Sequence, residues 1–357
     1  MPPTASESPI KDSRWGTEPR SRTTAVAILA AAQNGTSGAL AICKLSVGRH
    51  EVRSKQVILG GRCLFRLGSA CECRLSLLSA YVPTRSTSRS ATLVVLARAH
   101  LTWMGVVDDP YARRMLPSGW ANVESILRIP GLGRLGRNRS FAYLGARTCF
   151  YDQFVASALD GGIHQVVVLG AGYDSRAWRF ARPGVTFYEV DLPQTQADKR
   201  SRAPEGGPIY VPADVTDSSL VDALTDAGFR SEEPAAFTAE GLTMYLTEQQ
   251  VALLLRSLSA LGGPGSRLAV NFGVGFEQQG SQRGRIARKL MAAGGEELRF
   301  RLSPADAPEF MKKTGWTINE LLPGPQLRDK YLGGTKLAAV NVTTSGFAVE
   351  AEVQSEG

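Results

Sequence analysis

The chain has 357 residues, of which 43% are hydrophobic, and it carries a formal net charge of +8. This composition is typical of a soluble globular protein, and no apolar run approaches the roughly 18 residues that a membrane-spanning helix needs. The charge is confined to one end, because residues 1–90 contain 13 Lys and Arg against 5 Asp and Glu, whereas residues 91–357 contain 28 against 28. We therefore expect no membrane partner, and no nucleic-acid partner for the larger part of the chain.

The first 85 residues are predicted to be a poorly ordered or appended N-terminal segment. Residues 1–22 are rich in Pro, Ser, Thr and charge, which is typical of disorder. Residues 23–90 alternate short apolar pieces with Arg and Ser and show no clear period. The stretch PTRSTSRS at 83–90 is typical of a linker. The apolar run at 25–32 resembles a secretory signal, but nothing downstream looks secreted, so we favour a cytoplasmic protein.

Four of the five cysteines lie in that segment: Cys43, Cys63, Cys71 and Cys73. Cys71 and Cys73 are separated by one residue, which is too close for the usual zinc spacing, and no histidine is nearby to complete a site. We therefore predict free thiols in a reducing compartment and no metal site.

Three helices are predicted ahead of the central motif. Residues 91–103 can form a helix with Ser90 as its N-cap, and Asp109 can cap a short helix that Pro110 begins. Residues 131–139, GLGRLGRNR, are predicted to be a solvated basic loop. Residues 140–160 form the third helix because apolar side chains recur along one face. They are Phe141, Leu144, Tyr151, Phe154, Val155, Ala158 and Leu159.

Arg147 falls on the apolar face of the third helix. A charge in that position must find an anionic partner or extend to solvent. Two interpretations remain open. Arg147 forms a structural salt bridge, or it binds the carboxylate of a ligand that lies over the glycine loop downstream.

The rest of the chain is organised around the stretch QVVVLGAGYDSRAWRF, residues 165–180. Its apolar run at 166–169 is bounded by glycine, which suits a strand buried on both faces of a parallel sheet. The chain then turns through Gly170 and Gly172 and enters a predicted helix at 174–176. Glycines at such a turn let the backbone approach a ligand, and the helix N-terminus offers free N–H groups. A tight turn without a ligand is the ordinary alternative, but the strand and helix on either side favour a nucleotide-type site.

Further strands follow, and three of them end at an acidic residue. These strands and residues are 186–190 with Asp191, 209–211 with Asp214, and 236–239 with Glu240. Thr247 begins a helix with a capping-box pattern that Gly262 ends, and residues 267–272 form a fifth strand. Strands that alternate with helices predict a doubly wound, mostly parallel α/β sheet, whose ligands bind at the carboxyl ends of the strands.

The C-terminal part is predicted from shorter signals. Ser303 is a possible N-cap before a helix that Pro304 begins. Residues 316–321 and 336–343 are predicted to be the last two strands, in a hairpin at the edge of the sheet. The tail from Glu350 is expected to be loose.

The nature of the nucleotide follows from the spacing. Asp191 lies about 20 residues after the glycines, where an acidic side chain can accept both hydroxyls of a ribose. A dinucleotide site usually has a third glycine, but Tyr173 and Ser175 occupy the positions concerned. Asp214 has no standard dinucleotide role, although it can accept from an adenine amine. These features favour S-adenosylmethionine over the alternative of an NAD-dependent oxidoreductase. A non-catalytic cofactor-binding protein remains open.

The motifs VVVLGAGYDSRAWRF, FYEVDLP, ADVTD and AEGLTMYL, with DDPYA and YLGARTCFYDQFV upstream, resemble the leucine carboxyl methyltransferase-like family. These are class I S-adenosylmethionine-dependent methyltransferases, and the likeness is to the bacterial branch of O-methyltransferases. It covers residues 86–345. The resemblance implies a seven-stranded Rossmann-like sheet with an antiparallel last strand. It also implies that N-terminal helices and an insert after the fifth strand form a lid over the methyl acceptor.

The resemblance assigns roles to single residues. Arg147 matches the arginine that pairs with the methionine carboxylate, and Gly170, in one loop with Gly172, lies under the methionine part. The other matches are Asp191 for the ribose, Asp214 and Val215 for the adenine, and Glu240 after the fourth strand.

The expected activity is methylation of a carboxyl or hydroxyl group on a small molecule. Transfer from a sulfonium is an in-line displacement in which positioning supplies much of the rate. A carboxylate acceptor needs no base, whereas a hydroxyl needs one, for which Glu240 and Tyr245 are the candidates. His164 is expected at the wrong end of the sheet, and His100 in packing or at the surface. The sequence assigns no catalytic base, acceptor or oligomeric state.

Overall fold

The chain divides into two units, Met1–Val82 and Pro83–Gly357. In the second unit, the computed structural model describes residues 89–117, 119–129, 137–274, 298–342 and 346–354, with only the backbone for residue 89. In the first unit it describes the backbone of five strands: β1 (Thr23–Ala30), β2 (Ala39–Val47), β3 (Ser54–Leu59), β4 (Arg62–Gly68) and β5 (Ala80–Tyr81).

The strands of the first unit pair antiparallel. Both β1 and β5 pair with β2, and β3 pairs with β4. The predictions for residues 1–22 and for the linker at 83–88 lie outside the described residues. So does the thiol prediction, because the side chains of the four N-terminal cysteines are not described.

A seven-stranded sheet forms the centre of the second unit, as predicted. Its strand order is β8-β7-β6-β9-β10-β12-β11. The first five are parallel, and β12 runs antiparallel to both of its neighbours. The bounds are β6 (Gln165–Leu169), β7 (Thr186–Asp191), β8 (Ile209–Pro212), β9 (Ala235–Ala239), β10 (Arg267–Gly273), β11 (Trp316–Pro323) and β12 (Gly346–Val353).

Helices flank this sheet. They are α1 (Arg89–Trp103), α2 (Trp120–Leu127), α3 (Arg139–Asp160), α4 (Arg176–Arg179), α5 (Pro193–Arg200), α6 (Leu220–Asp226), α7 (Glu248–Leu261), α8 (Ala307–Lys313) and α9 (Gly324–Leu332). A short 3₁₀ turn spans Thr243–Tyr245. The predicted capping box of α7 is confirmed, since the Thr247 side chain accepts from the Gln250 backbone and the Gln250 side chain accepts from the Thr247 backbone.

The central strand β6 is buried on both faces, which explains its unbroken apolar run. Val166 and Val168 pack in the same apolar cluster as the inner face of α3. Val167 and Leu169 point the other way, into the cluster that contains the leucines of α7. The strand therefore lies between two helical layers, and the turn after Leu169 opens at the edge where the parallel strands end.

Three predictions near the start of the second unit are wrong in detail. The first helix begins at Arg89, so Ser90 lies inside α1 and is not its N-cap. Residues 110–115 form turns instead of a helix, although Asp109 Oδ1 accepts from the backbone N–H groups of Tyr111 and Ala112 at 3.2 and 3.0 Å. Arg139 belongs to α3, whose N-cap is Asn138, and residues 131–136 of the predicted loop are outside the described ranges.

Two predicted helix starts are also corrected. The helix after the glycine loop, α4, was predicted to begin at 174–176. It begins at Arg176 and is a single turn of four residues. The helix predicted to begin at Pro304 begins at Ala307 after Asp306, because Ser303 Oγ accepts from the Asp306 backbone at 3.1 Å and closes a preceding turn.

The C-terminal strand was placed wrongly. Residues 335–340 form turns, not a strand, and residues 350–353 of the predicted loose tail belong to a strand. The partner of β11 is instead β12, which is inserted between β10 and β11. The run Gly346–Val353 suits this place because Phe347, Ala348 and Val349 are all almost fully buried, as a strand covered on both sides requires.

We expect Phe347→Ala to lower the free energy of unfolding by about 3–5 kcal/mol, the usual cost of truncating a buried phenylalanine. Phe347 is 0% exposed, and its ring lies 5.4 Å from that of Phe272. Urea unfolding followed by circular dichroism measures the change. The control is Glu352→Ala on the exposed side of the same strand, with a change below about 0.5 kcal/mol. Equal, small effects from both substitutions would mean that β12 is not part of the core.

Candidate cofactor site

A cavity of about 400 Å³ opens at the sheet edge where the parallel strands end. All seven predicted binding residues line it: Arg147, Gly170, Gly172, Asp191, Asp214, Val215 and Glu240. Helix α1 forms a further wall. The resemblance implied a cover of N-terminal helices but did not name these residues, which are Ser90, Ala91, Val94, Val95 and Arg98. Residues 275–297 of the predicted insert lie outside the described ranges. Among the seven predicted residues, the structure brings together side chains as far apart in the chain as Arg147 and Glu240, which are 93 positions from each other.

The glycine loop lies at the base of this cavity. Gly170 and Gly172 have φ angles of 59° and 49°, in the left-handed region that side chains rarely adopt. A Cβ on Gly170 would lie 3.0 Å from Leu242 Cδ1, and one on Gly172 would lie 3.1 Å from the Ala91 Cβ. Glycine is thus favoured at both positions by its conformation, and a Cβ there would also crowd its neighbour.

The prediction of free N–H groups after this loop is wrong for Arg176. Its backbone N–H already donates to Asp174 Oδ1 at 2.6 Å. Helix α4 is also only one turn long, so it has little dipole to offer a ligand. The glycine loop itself, rather than a helix N-terminus, forms the surface that a ligand would contact.

Asp191 holds the glycine loop in place. Its Oδ2 accepts from the Gly172 N–H at 2.6 Å, and its Oδ1 accepts from the Leu192 N–H at 2.7 Å. Burial raises the pKa of Asp191, against the stabilising effect of these two donors. A carboxylate has about four acceptor positions, so each oxygen keeps room for a ligand hydroxyl.

Asp214 and Val215 line the cavity beyond β8. Asp214 Oδ1 accepts from the backbone N–H and the hydroxyl of Thr216, at 2.9 and 2.8 Å. Asp214 is exposed, whereas Val215 is buried at 9% exposure. The pair therefore combines a solvent-accessible carboxylate with an apolar surface, which suits a flat ring with an amine at its edge.

Arg147 and Glu240 form the salt bridge that was one of the two interpretations for Arg147. Arg147 Nε donates to Glu240 Oε1 at 3.0 Å. This bond uses one of five guanidinium donors. Nη1 and Nη2 lie 3.4 and 3.5 Å from the place where a Cβ on Gly241 would be, so the absence of a side chain at Gly241 leaves room for them. A ligand carboxylate is therefore compatible with the salt bridge.

Glu240 is held as a carboxylate by two arginines. Its Oε2 accepts from Arg176 Nη1 at 2.8 Å, while Oε1 binds Arg147. Burial by itself would raise the pKa of Glu240, but the guanidinium groups of Arg176 and Arg147 hold that pKa below its ordinary value. A carboxylate of this kind is a weak base, which argues against Glu240 as the proton acceptor.

These contacts belong to a longer series of buried and half-buried charges that alternate in sign, which we call the charged chain. Its successive members are Arg147, Glu240, Arg176, Asp152, Arg179, Asp109 and Arg98. Asp174 branches from Arg176. Both end members, Arg147 and Arg98, line the cavity. Only Arg147 and Glu240 were predicted. Arg98 also lies among apolar residues in the sequence, and the same reasoning could have found it, whereas Arg176 follows Asp174 and Ser175 and carries no such signal.

The turn after β9 is held from below by Asn271, which the sequence did not indicate. The Gly241 N–H donates to Asn271 Oδ1 at 2.7 Å, and the Thr243 hydroxyl donates to the Asn271 carbonyl at 2.7 Å. The Tyr151 hydroxyl lies 3.0 Å from the same Oδ1. These bonds fix the segment that carries Glu240.

The two histidines that the structure describes, His100 and His164, do not line the cavity. His100 is fully buried, with ring centroids 5.3 Å from Trp103 and 5.7 Å from Phe141, so it packs and the surface alternative is wrong. Burial lowers the pKa of His100. His164 is exposed and precedes β6, at the opposite end of the strand, as predicted.

Two further findings concern only the part of the chain that the structure describes. There, no group of three or more His, Cys, Asp or Glu side chains is arranged to hold a metal ion. No helix there is both long enough and apolar enough to cross a membrane.

We expect Glu240→Gln to lower the free energy of unfolding at pH 7 by about 3 kcal/mol, because it removes the anion that two buried arginines share. Since the folded pKa of Glu240 lies below its ordinary value of 4.5, the carboxylate stabilises the protein fully above pH 4.5. That contribution is lost as the pH falls through the folded pKa. Urea unfolding at pH 7, 5 and 3.5 should show the gap between wild type and variant narrowing only below pH 4.5.

The control is Glu205→Gln, which changes an exposed glutamate in a loop, and we expect no gap at any of these pH values. A gap for Glu240→Gln that is constant with pH would contradict the assignment of its effect to charge.

Known proteins match this chain in sequence. The family model for leucine carboxyl methyltransferase matches residues 91–259. A Mycobacterium tuberculosis protein named "Putative S-adenosyl-L-methionine-dependent methyltransferase" is 30% identical over 287 residues, which cover 70% of this chain and 88% of that protein. A protein of the same name from Mycolicibacterium paratuberculosis is 35% identical over 209 residues, covering 53% of this chain and 66% of the relative.

A solved structure is also similar. The crystal structure of a DUF574 family protein from Streptomyces avermitilis covers 72% of this chain and 97% of its own, with 19% identity and a TM-score of 0.48. The family-model match extends over the motifs that line the cavity. The chain belongs to the leucine carboxyl methyltransferase family of S-adenosylmethionine-dependent methyltransferases.

Proposed function

We propose that the protein methylates an oxygen atom of a small molecule, in a carboxyl or hydroxyl group. The observation that supports this is the chemistry of the cavity wall. Its described titratable residues are Asp, Glu, Arg and Tyr, with no His, Cys or Lys among them. An acceptor that is already an anion, such as a carboxylate, needs no proton acceptor. The carboxylate is therefore the acceptor that these residues suit better.

The residues present fit the cofactor. The glycine loop provides a close approach that a Cβ would fill, and its fixed turn suits the methionine part. We assign Asp191 to the ribose hydroxyls, because its two oxygens each accept one backbone N–H and keep a further acceptor position. We assign Asp214 and Val215 to the adenine and Arg147 to the methionine carboxylate. A cavity of about 400 Å³ lies in the range of small-molecule sites.

The protein's part in the reaction is mainly to orient the reactants. S-adenosylmethionine supplies a methyl group on a sulfonium, which leaves as a neutral thioether. Arg147 and Glu240 would hold the methionine end, while Asp191 fixes the ribose, so the methyl group has one defined direction. Correct orientation of two reactants can contribute effective molarities of about 10⁵ M or more. If the acceptor is a hydroxyl, Tyr245 is the remaining candidate base, since it also lines the cavity.

The division of the chain follows the same proposal. Residues 1–85 would be an appended segment, and the methyltransferase domain would begin near residue 86. It would end at Val353 rather than at residue 345, because β12 is part of the central sheet.

We expect Asp191→Ala and Arg147→Ala each to weaken the binding of S-adenosylhomocysteine by about 1–3 kcal/mol, the usual cost of losing a charge-assisted hydrogen bond. Isothermal titration calorimetry measures the affinity, with NAD as a ligand that should not bind. The matched controls are Asp160→Ala and Arg182→Ala, which remove a surface ion pair of 2.7 Å far from the cavity lining. Unchanged affinity in both cavity variants would refute the assigned positions.

We expect methyl-labelled S-adenosylmethionine to transfer its label to small carboxylic acids, and the products to release labelled methanol in alkali as esters do. Methyl ethers, formed from alcohols or phenols, would keep the label in alkali. Scintillation counting of the extracted products before and after alkali distinguishes the two. Asp191→Ala serves as the low-activity control. Label found only on amine acceptors would overturn the proposal of O-methylation while leaving the cofactor assignment intact.

A further inference from the structure

Arg176 is a completely buried charge next to the cavity. Its side chain is 0% exposed. Nε donates to Asp152 Oδ1 at 2.7 Å, Nη1 donates to Glu240 Oε2 at 2.8 Å, and Nη2 donates to the Thr148 carbonyl at 3.3 Å. Its guanidinium group also lies 5.4 Å from the centre of the Tyr151 ring. A charge so deeply buried is tolerated only because its donors are satisfied in this way.

Arg176 holds the two acidic side chains that line the cavity beside Arg147. Its backbone N–H donates to Asp174 Oδ1, and its Nη1 donates to Asp174 Oδ2. The same Nη1 donates to Glu240. Asp174 and Glu240 both line the cavity, whereas Arg176 does not. Arg176 therefore acts on the cavity wall through other residues.

The orientation of Arg147 depends on this arrangement. Glu240 bridges the two arginines, because Oε1 binds Arg147 and Oε2 binds Arg176. Without Arg176, the Glu240 carboxylate could rotate about its last torsion, which is a broad and soft one. Arg147 would then lose its fixed partner, and its terminal nitrogens would lose their fixed place above Gly241.

We propose that Arg176 is a positioning residue for the amino-acid end of the cofactor. It fixes Glu240 and Asp174, and through Glu240 it fixes Arg147. This inference rests on the proposed placement of the methionine end beside Arg147. Lysine cannot replace it, because an ammonium group is a single point, whereas the planar guanidinium reaches carboxylates in several directions at once.

A purely structural role for Arg176 makes a different prediction. Loss of packing would disturb the whole cavity and weaken the binding of every part of the cofactor to the same degree. A positioning role affects only ligands that carry the amino-acid tail. S-adenosylhomocysteine has this tail, and 5′-methylthioadenosine lacks it but keeps the adenine and ribose. Comparing the two ligands separates the two roles.

The test measures both dissociation constants by calorimetry for wild type, Arg176→Lys and Arg179→Lys. Arg179 is a matched control, because it is buried in the same short helix and also binds Asp152, but it donates to Asp152, Ser175 and Asp108 instead of Glu240 or Asp174. We expect Arg176→Lys to raise the dissociation constant of S-adenosylhomocysteine about tenfold or more. The dissociation constant of 5′-methylthioadenosine should rise less than about threefold. We expect Arg179→Lys to change each of the two dissociation constants by less than about threefold.

A double substitution tests whether Arg176 acts on Arg147 through Glu240. In a protein that already carries Glu240→Gln, adding Arg176→Lys should raise the dissociation constant of S-adenosylhomocysteine by less than about a further threefold. The reason is that the link between Arg176 and Arg147 has already been removed. If thermal unfolding shows that Arg176→Lys does not fold, Asp152→Asn is added to it. That change neutralises one of the three carboxylates left without the guanidinium, and the same ligand comparison is made.

The outcomes distinguish a positioning role of Arg176 from a purely structural one. If Arg176→Lys weakened the binding of both ligands equally, or did not weaken the binding of S-adenosylhomocysteine, the positioning role would be wrong. The proposed function would be unaffected. If wild type bound 5′-methylthioadenosine as tightly as S-adenosylhomocysteine, the placement of the amino-acid tail beside Arg147 would fail, and the inference with it.

Discussion

The salt bridges of Glu240 are the interaction on which the candidate site depends. One carboxylate joins Arg147 of α3 to Arg176 of α4, at 3.0 and 2.8 Å. Glu240 itself follows β9, so three separate elements meet at a single anion. Because each of these charges is buried, none can be left unpaired without a large loss of stability. The same pairing that stabilises the fold thus orders the side chains around the cavity.

This arrangement also limits the chemistry available. The cavity's carboxylates either hold backbone and arginine donors or, in the case of Asp214, lie exposed beside the apolar Val215. Glu240 is kept charged by two guanidinium groups and is poorly suited to take a proton. The described wall is therefore built to bind and orient. For the methylation of an anionic oxygen that we propose, this would be sufficient, since the sulfonium leaving group requires no acid and such an acceptor no base.

Local signals in the sequence predicted much of the fold and several of the residues that line the cavity. The apolar run of β6, the glycines after it and the acidic ends of β7 and β9 depend on short stretches of chain. Because parallel strands place their carboxyl ends at one edge of a sheet, those stretches were enough to predict that Gly170, Asp191 and Glu240 would converge. The capping box of α7 was predictable for the same reason, since a cap involves only four residues.

Contacts between distant segments decided the rest. The predicted strand at 336–343 is rich in strand-forming side chains, yet its described residues 336–342 lie outside the sheet. The end of β12, from Glu350, was instead mistaken for a loose tail, although β12 fills the gap between β10 and β11. Which segment occupies that gap depends on what covers its two faces, and no local pattern contains this information. The sequence by itself thus determined the parallel sheet and the residues at its edge. Only the tertiary structure determined the charged chain beneath them, because a buried charge takes its partner from whichever segment folds against it.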